Sequence, residues 1–202
     1  MIIMAGEKVA DGRSIRRWRV TISMVVILLR VLALFATAAA TIVMALNKEK
    51  HTFAVATIGN TPVKIAITAK FQHTPANVMF VIANGVATLH SLFMLSMLCF
   101  VRDKYDFKGL RFLTAAALDM VTIAVVSGAA TAVAFMGEVA RNGNSHARWN
   151  KVCDNFERYC DQGSGAMLAS YIGILFLMLV NMLNIFEYGR LINPSSNNPL
   201  AA

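Results

Sequence analysis

The side chains that could do chemistry in this chain lie in unusual places. Arg30 and Asp119 each interrupt a long apolar run. A full charge surrounded by apolar residues must pair, reach water or line a pathway, because burying it alone is costly. His90 and Asn181 interrupt two further apolar runs. Cys153 and Cys160 fall in a polar stretch with Phe156 and Tyr159 between them and Trp149 just before. That spacing suits a disulfide closing a small loop.

Other chemistry is missing. The sequence has no His-Glu-x-x-His, nucleophile elbow, P-loop or Cys-x-x-Cys, so neither a catalytic nor a metal constellation is expected. The cysteine pair is too widely spaced for the usual membrane redox motif. An enzyme is not expected, and no cofactor or small-molecule substrate is implied.

The elements that hold these residues are set by apolar content. Hydrophobic residues make up 57% of the 202 positions and charged ones only 15%. The apolar residues collect in four runs, at Val20–Leu46, Pro75–Val101, Phe112–Met136 and Ala166–Phe186. Each meets the length of about 20 residues that a membrane-spanning helix needs. In lipid the backbone must satisfy its own hydrogen bonds, so such runs form helices. The first run is too long for a cleaved signal peptide. The expected fold is an all-α membrane protein, a single bundle of four transmembrane helices.

Lysine and arginine counts orient the bundle. Lys8, Arg13, Arg16, Arg17 and Arg19 precede the first span, and Arg102, Lys104, Lys108 and Arg111 fill the short segment 102–111. The longer loops 47–74 and 137–165 are more dilute in basic residues. This places the tail 1–19, the loop 102–111 and the tail 187–202 in the cytoplasm, with both long loops outside. The net charge of +8 then reflects this bias and attraction to anionic lipid, with no nucleic-acid partner. The cysteines agree, since Cys153 and Cys160 fall where disulfides survive. Cys99 lies at the cytoplasmic end of span two, as a packed free thiol or a palmitoylation site.

In loop 47–74, Lys64, Thr68 and Lys70 alternate with Ile65, Ile67, Ala69 and Phe71. Phe53–Ile58 is also strand-like, and Gly59–Asn60–Thr61–Pro62 has turn chemistry. The segment reads as a short β-hairpin or as an irregular loop.

At 1.5 Å per residue, Arg30 and Asp119 lie within about one helical turn of the same depth, so they are expected to form an intramembrane ion pair. His90 and Asn181 occupy the same half and could extend it into a polar layer. A clamp fixing helix register is favoured over a proton or ion relay, because one pair makes a poor relay. Ala124, Gly128 and Ala132 on span three, and Gly165, Ala169 and Gly173 on span four, form stripes that let helices approach closely. They serve packing within the bundle or between copies.

From Asn142–Gly143–Asn144–Ser145 through Trp149, Cys153, Phe156 and Cys160 to Gly165, the chain resembles the second outer loop of plant Casparian strip membrane domain proteins and their CASP-like relatives. Pro75 and Phe80–Val81–Ile82–Ala83 continue the likeness, and Arg30 and Asp119 stand where that family carries its membrane Arg and Asp. The resemblance covers roughly Arg16 to Phe186. It implies a MARVEL-related plasma-membrane protein that associates with itself and with family members as homodimers, heterodimers or higher oligomers, and acts as a scaffold for membrane subdomains or cell-wall-modifying partners. The first outer loop lacks the acidic, Phe-rich stretch of true Casparian members and is closer to group-one CASP-like proteins. A small transporter or channel component is the alternative.

Overall fold

The computed structural model describes residues 2–58, 61–100 and 110–192. The order is α1 (Ile2–Leu46), β1 (Lys48–Ile58), β2 (Thr61–Lys70), a 3-10 turn (Phe71–His73), α2 (Pro75–Phe100), α3 (Leu110–Asn142) and α4 (Glu157–Ile192). Each helix holds a stretch long and apolar enough to cross a membrane, at Val20–Leu46, Pro75–Leu98, Phe112–Asn142 and Glu157–Arg190. The chain is a four-helix membrane protein with one small antiparallel sheet.

The helices outrun the apolar segments. α3 continues past Met136 to Asn142, α4 begins at Glu157, and residues 2–19 continue α1. Hydropathy locates the stretch that needs lipid, whereas a helix ends only where its backbone is capped or broken. α2 begins with Pro75, whose fixed φ and missing N–H suit a first turn, and the Thr74 carbonyl accepts from Asn77 N at 3.0 Å. α3 ends at Gly143, which has a φ of 71° and donates its N–H to the Val139 carbonyl at 2.8 Å. A Cβ there would lie 2.8 Å from the Trp149 carbonyl oxygen, so glycine answers both demands.

The bundle is large outside and small inside. Ala33, Ala40, Ala87, Ala130 and Ala166 are buried around Phe80, Val126 and Leu177, whereas Leu28, Phe35, Leu89, Met120, Phe135 and Met182 are exposed. Lipid is as apolar as leucine, so close backbone approach drives association here. Gly173 shows it best: a Cβ there would meet Thr37 Cγ2 of α1 at 2.8 Å.

The stripes at spacing four divide. Gly173 is buried and Ala169 packs against the core. Ala124, Gly128, Ala132 and Gly165 are exposed, and Gly128 and Gly165 would meet nothing within 4 Å. These four are not packing residues within the bundle. α3 instead buries Ala116, Asp119, Ile123, Val126, Ala130 and Val133, an alternating three-and-four spacing. In an alanine-rich helix small residues occur on several faces, so spacing alone does not identify the buried one.

The segment between α1 and α2 is a hairpin. Its register pairs Lys48 with Lys70, His51 with Ile67 and Phe53 with Ile65, with an irregularity between Ala54 and Ala56. β1 begins earlier than the strand-like Phe53–Ile58, and Phe71 belongs to the 3-10 turn. Gly59–Asn60, the segment 101–109, the tail from residue 193 and the Cys99 side chain lie outside the described residues.

Candidate functional site

Each of the four helices sends one polar side chain to a single carboxylate layer. Asp119 of α3 accepts from Arg30 of α1 through both oxygens, Nη1 to Oδ1 at 3.0 Å and Nη2 to Oδ2 at 2.6 Å. His90 Nε2 of α2 stands 2.8 Å from Oδ1. Asn184 Nδ2 of α4 donates to Oδ2 at 3.3 Å. A carboxylate paired with a guanidinium only accepts, so His90 carries its hydrogen on Nε2. The two-pronged Arg–Asp geometry is strong and directional. The pair is sealed, with Arg30 2% exposed and Asp119 fully buried.

The α4 member is Asn184, and Asn181 is not part of the layer. Asn181 is buried too, but its Oδ1 has no hydrogen-bond partner among the described residues. Depth arithmetic placed it at a suitable level. Three residues shift a helix by about 4.5 Å and turn it by about 60° net, and that rotation decides which amide faces Asp119.

A second set of polar contacts was not anticipated from the sequence. Ser170 Oγ of α4 donates to Asn84 Oδ1 of α2 at 2.9 Å, and Asn84 Nδ2 donates to the Phe80 carbonyl at 3.0 Å. Thr88 Oγ1 of α2 lies 3.0 Å from Thr37 Oγ1 of α1. Asn84, an amide in the middle of an apolar run, was the available signal.

At the hairpin end, Cys153 and Cys160 form a disulfide with Cα atoms 5.7 Å apart. Phe156 is buried between them in sequence and meets the rings of His51 and Phe53 edge-on, with centroids at 6.1 and 6.3 Å. Tyr159 ties the same elements through polar bonds. Its N–H donates to Glu49 Oε2 at 2.7 Å, its carbonyl accepts from Asn47 Nδ2 at 2.8 Å, and its phenol accepts from Asn77 Nδ2 at 2.8 Å. The disulfide loop, the hairpin and the start of α2 are therefore one unit.

The segment Asn142 to Trp149 is a turn held by its own polar groups. Asn142 Nδ2 donates to Glu138 Oε1 at 2.5 Å. Asn144 and Trp149 exchange both backbone hydrogen bonds at 2.9 Å. Asn144 Oδ1 accepts from the N–H groups of His146 and Ala147, and the Ser145 carbonyl accepts from Arg148 N. The turn leaves Trp149 57% exposed. Beside it a cleft of about 390 Å³ opens among Met44, Asn47, Asn77, Val133, Trp149 and Tyr159. No cluster of three metal-ligating side chains occurs among the described residues.

At the opposite end the Arg190 guanidinium of α4 lies 5.5 Å from the ring centre of Trp18 and 5.8 Å from that of Phe186.

Comparison with known proteins fits this architecture. Residues 19–176 match the model of the Casparian strip membrane protein domain. The chain is 49% identical to CASP-like protein 1B2 of Populus trichocarpa over 205 residues, covering 99% of this chain and 98% of the relative. It is 56% identical to CASP-like protein 1B1 of Ricinus communis over 158 residues, covering 78% and 77% respectively. Against CASP-like protein 1B2 of Arabidopsis thaliana it is 48% identical over 195 residues, covering 96% and 94%. No solved structure matches the chain. With the domain model covering all but the ends and such identities across nearly the whole length, the chain belongs to the Casparian strip membrane protein domain family and is similar to its CASP-like 1B members.

Proposed function

We propose that this chain is a non-enzymatic scaffold of the plasma membrane, with both termini cytoplasmic and the hairpin and disulfide loop outside. It associates with copies of itself and with family members, and so organises membrane subdomains or holds wall-modifying partners. The observation that carries this reading is the sealed polar layer. One carboxylate on α3 engages a side chain from each of the other three helices, which makes the bundle a rigid platform. The exposed row of Ala124, Gly128 and Ala132 leaves an outer face smooth enough for a neighbouring helix.

A small transporter or channel component would need water to reach Arg30, Asp119 and His90. The burial of the first two favours the platform. The distribution of lysine and arginine supports the orientation, as does the disulfide on the side placed outside.

Photobleaching recovery of a fluorescently tagged copy at the plasma membrane of plant cells tests the scaffold. Slow recovery in discrete patches is expected, with cross-linking capturing copies of the chain or its relatives. Fast, uniform recovery without cross-links would count against self-assembly, and solute flux through proteoliposomes would then favour the transporter.

A further inference from the structure

The hairpin register sorts its charges. Lys48 stands opposite Lys70, Lys50 opposite Thr68, and Lys64 opposite Ala54. Directly paired residues share a face and successive residues alternate, so all four lysines project from one face. All are exposed, and none enters an ion pair among the described residues. The hairpin's acid, Glu49, lies on the other face with His51 and Phe53. It is engaged by the Tyr159 N–H, and the rings beside it pack on Phe156. That face meets the disulfide loop through Glu49, His51 and Phe53 while Ile65 and Ile67 on it stay half-exposed, so the lysine face is turned away from that loop.

One pair, Lys48 and Lys70, is directly opposed, and like charges across a strand pair destabilise it. Lysines do guard exposed sheet edges against strand addition, but they can do so from either face. Their segregation onto the unpacked face is what an anion-docking surface requires. The lysines form a strip, since Lys64 and Lys70 lie about 20 Å apart along β2 at 3.3 Å per residue. A strip suits an extended chain of charges better than one compact anion.

We infer that this face binds a linear polycarboxylate, the class that includes acidic polysaccharides. The choice of polymer over lipid headgroups rests on the extracellular placement proposed above, because anionic lipid is concentrated on the cytoplasmic leaflet.

The test uses the full chain in phosphatidylcholine nanodiscs, where both faces are open, with polygalacturonate as ligand and its methyl ester as uncharged control. Combined Lys48→Gln, Lys50→Gln, Lys64→Gln and Lys70→Gln substitutions are expected to weaken salt-sensitive binding about ten-fold or more. Four Lys→Arg changes at the same sites should preserve it. Equal binding by the wild type and the glutamine variant would overturn the inference. So would unchanged polymer binding with attachment to phosphatidylserine vesicles lost, which would assign the face to lipid. Impermeant amine labelling of intact cells reads sidedness separately. Hairpin lysines protected there would overturn the proposed orientation, and with it the choice of polymer.

Discussion

Gly173 of α4 lies so close to Thr37 of α1 that a single added carbon would come within 2.8 Å of Cγ2. Thr37 has little room to yield, because it is fully buried and its hydroxyl bonds the Ala33 carbonyl at 2.9 Å. Gly173→Leu should separate α1 from α4 and lower the thermal midpoint of the detergent-solubilised protein by several degrees or abolish its expression. Gly128→Leu, on the exposed face of α3, should leave that midpoint nearly unmoved, with stability within about 0.5 kcal/mol of wild type. If α3 is the lateral contact, the same change reduces cross-linked dimers.

Removing Asp119 strands a guanidinium in a dry interior. Asp119→Ala is expected to cost about 3–5 kcal/mol and to reduce surface delivery. Arg30→Met combined with Asp119→Leu should recover most of the loss, since a buried ion pair contributes little over a well-packed apolar pair. Denaturation in mild detergent checks both, and an Asp119→Ala protein of normal stability would remove the clamp from the account.

The two asparagines of α4 should part company. Asn184→Leu loses a hydrogen bond to Asp119 and should destabilise by about 0.5–1.5 kcal/mol. Asn181→Leu removes an amide oxygen without a partner and should be neutral or stabilising. A larger loss at Asn181 than at Asn184 would reverse their assignment.

Cys153→Ser should loosen the hairpin end while leaving the spans intact. A bridge closing so short a loop contributes about 2–3 kcal/mol, and here its loss also frees Phe156 from His51 and Phe53. Phe156→Ala should have the same local effect with the disulfide present. Hydrogen exchange checks this, with faster exchange expected in β1 and unchanged protection in α2 and α3.

Sequence alone made the spans and the family legible, because each has a local signature: apolar length and ordered loop residues. Alternation around Lys64–Phe71 allowed the hairpin but did not separate it from an irregular loop. Arg30 and Asp119 stand out for a similar reason, as charges where lipid forbids them. What stayed illegible depends on rotation. Depth pointed to Asn181, three residues from Asn184, and spacing pointed to Gly128 as readily as Gly173. Only the azimuth of each helix separates them, and it emerges from packing across the whole bundle. α3 and α4 run beyond their apolar stretches, to Asn142 and from Glu157, because polarity alone does not unwind a helix.

The ion pair also fixes an order of events. Arg30 and Asp119 are 89 residues apart, so at about 5–20 residues per second the ribosome needs roughly 4–18 s to deliver the acid after the base. During that interval the span Val20–Leu46 holds a cation with no acid in the same span. It must be sheltered by the insertion machinery, or kept near the headgroups, until the third helix emerges. Maturation of this bundle therefore waits on synthesis, and premature release after the second helix yields a product that the membrane itself disfavours.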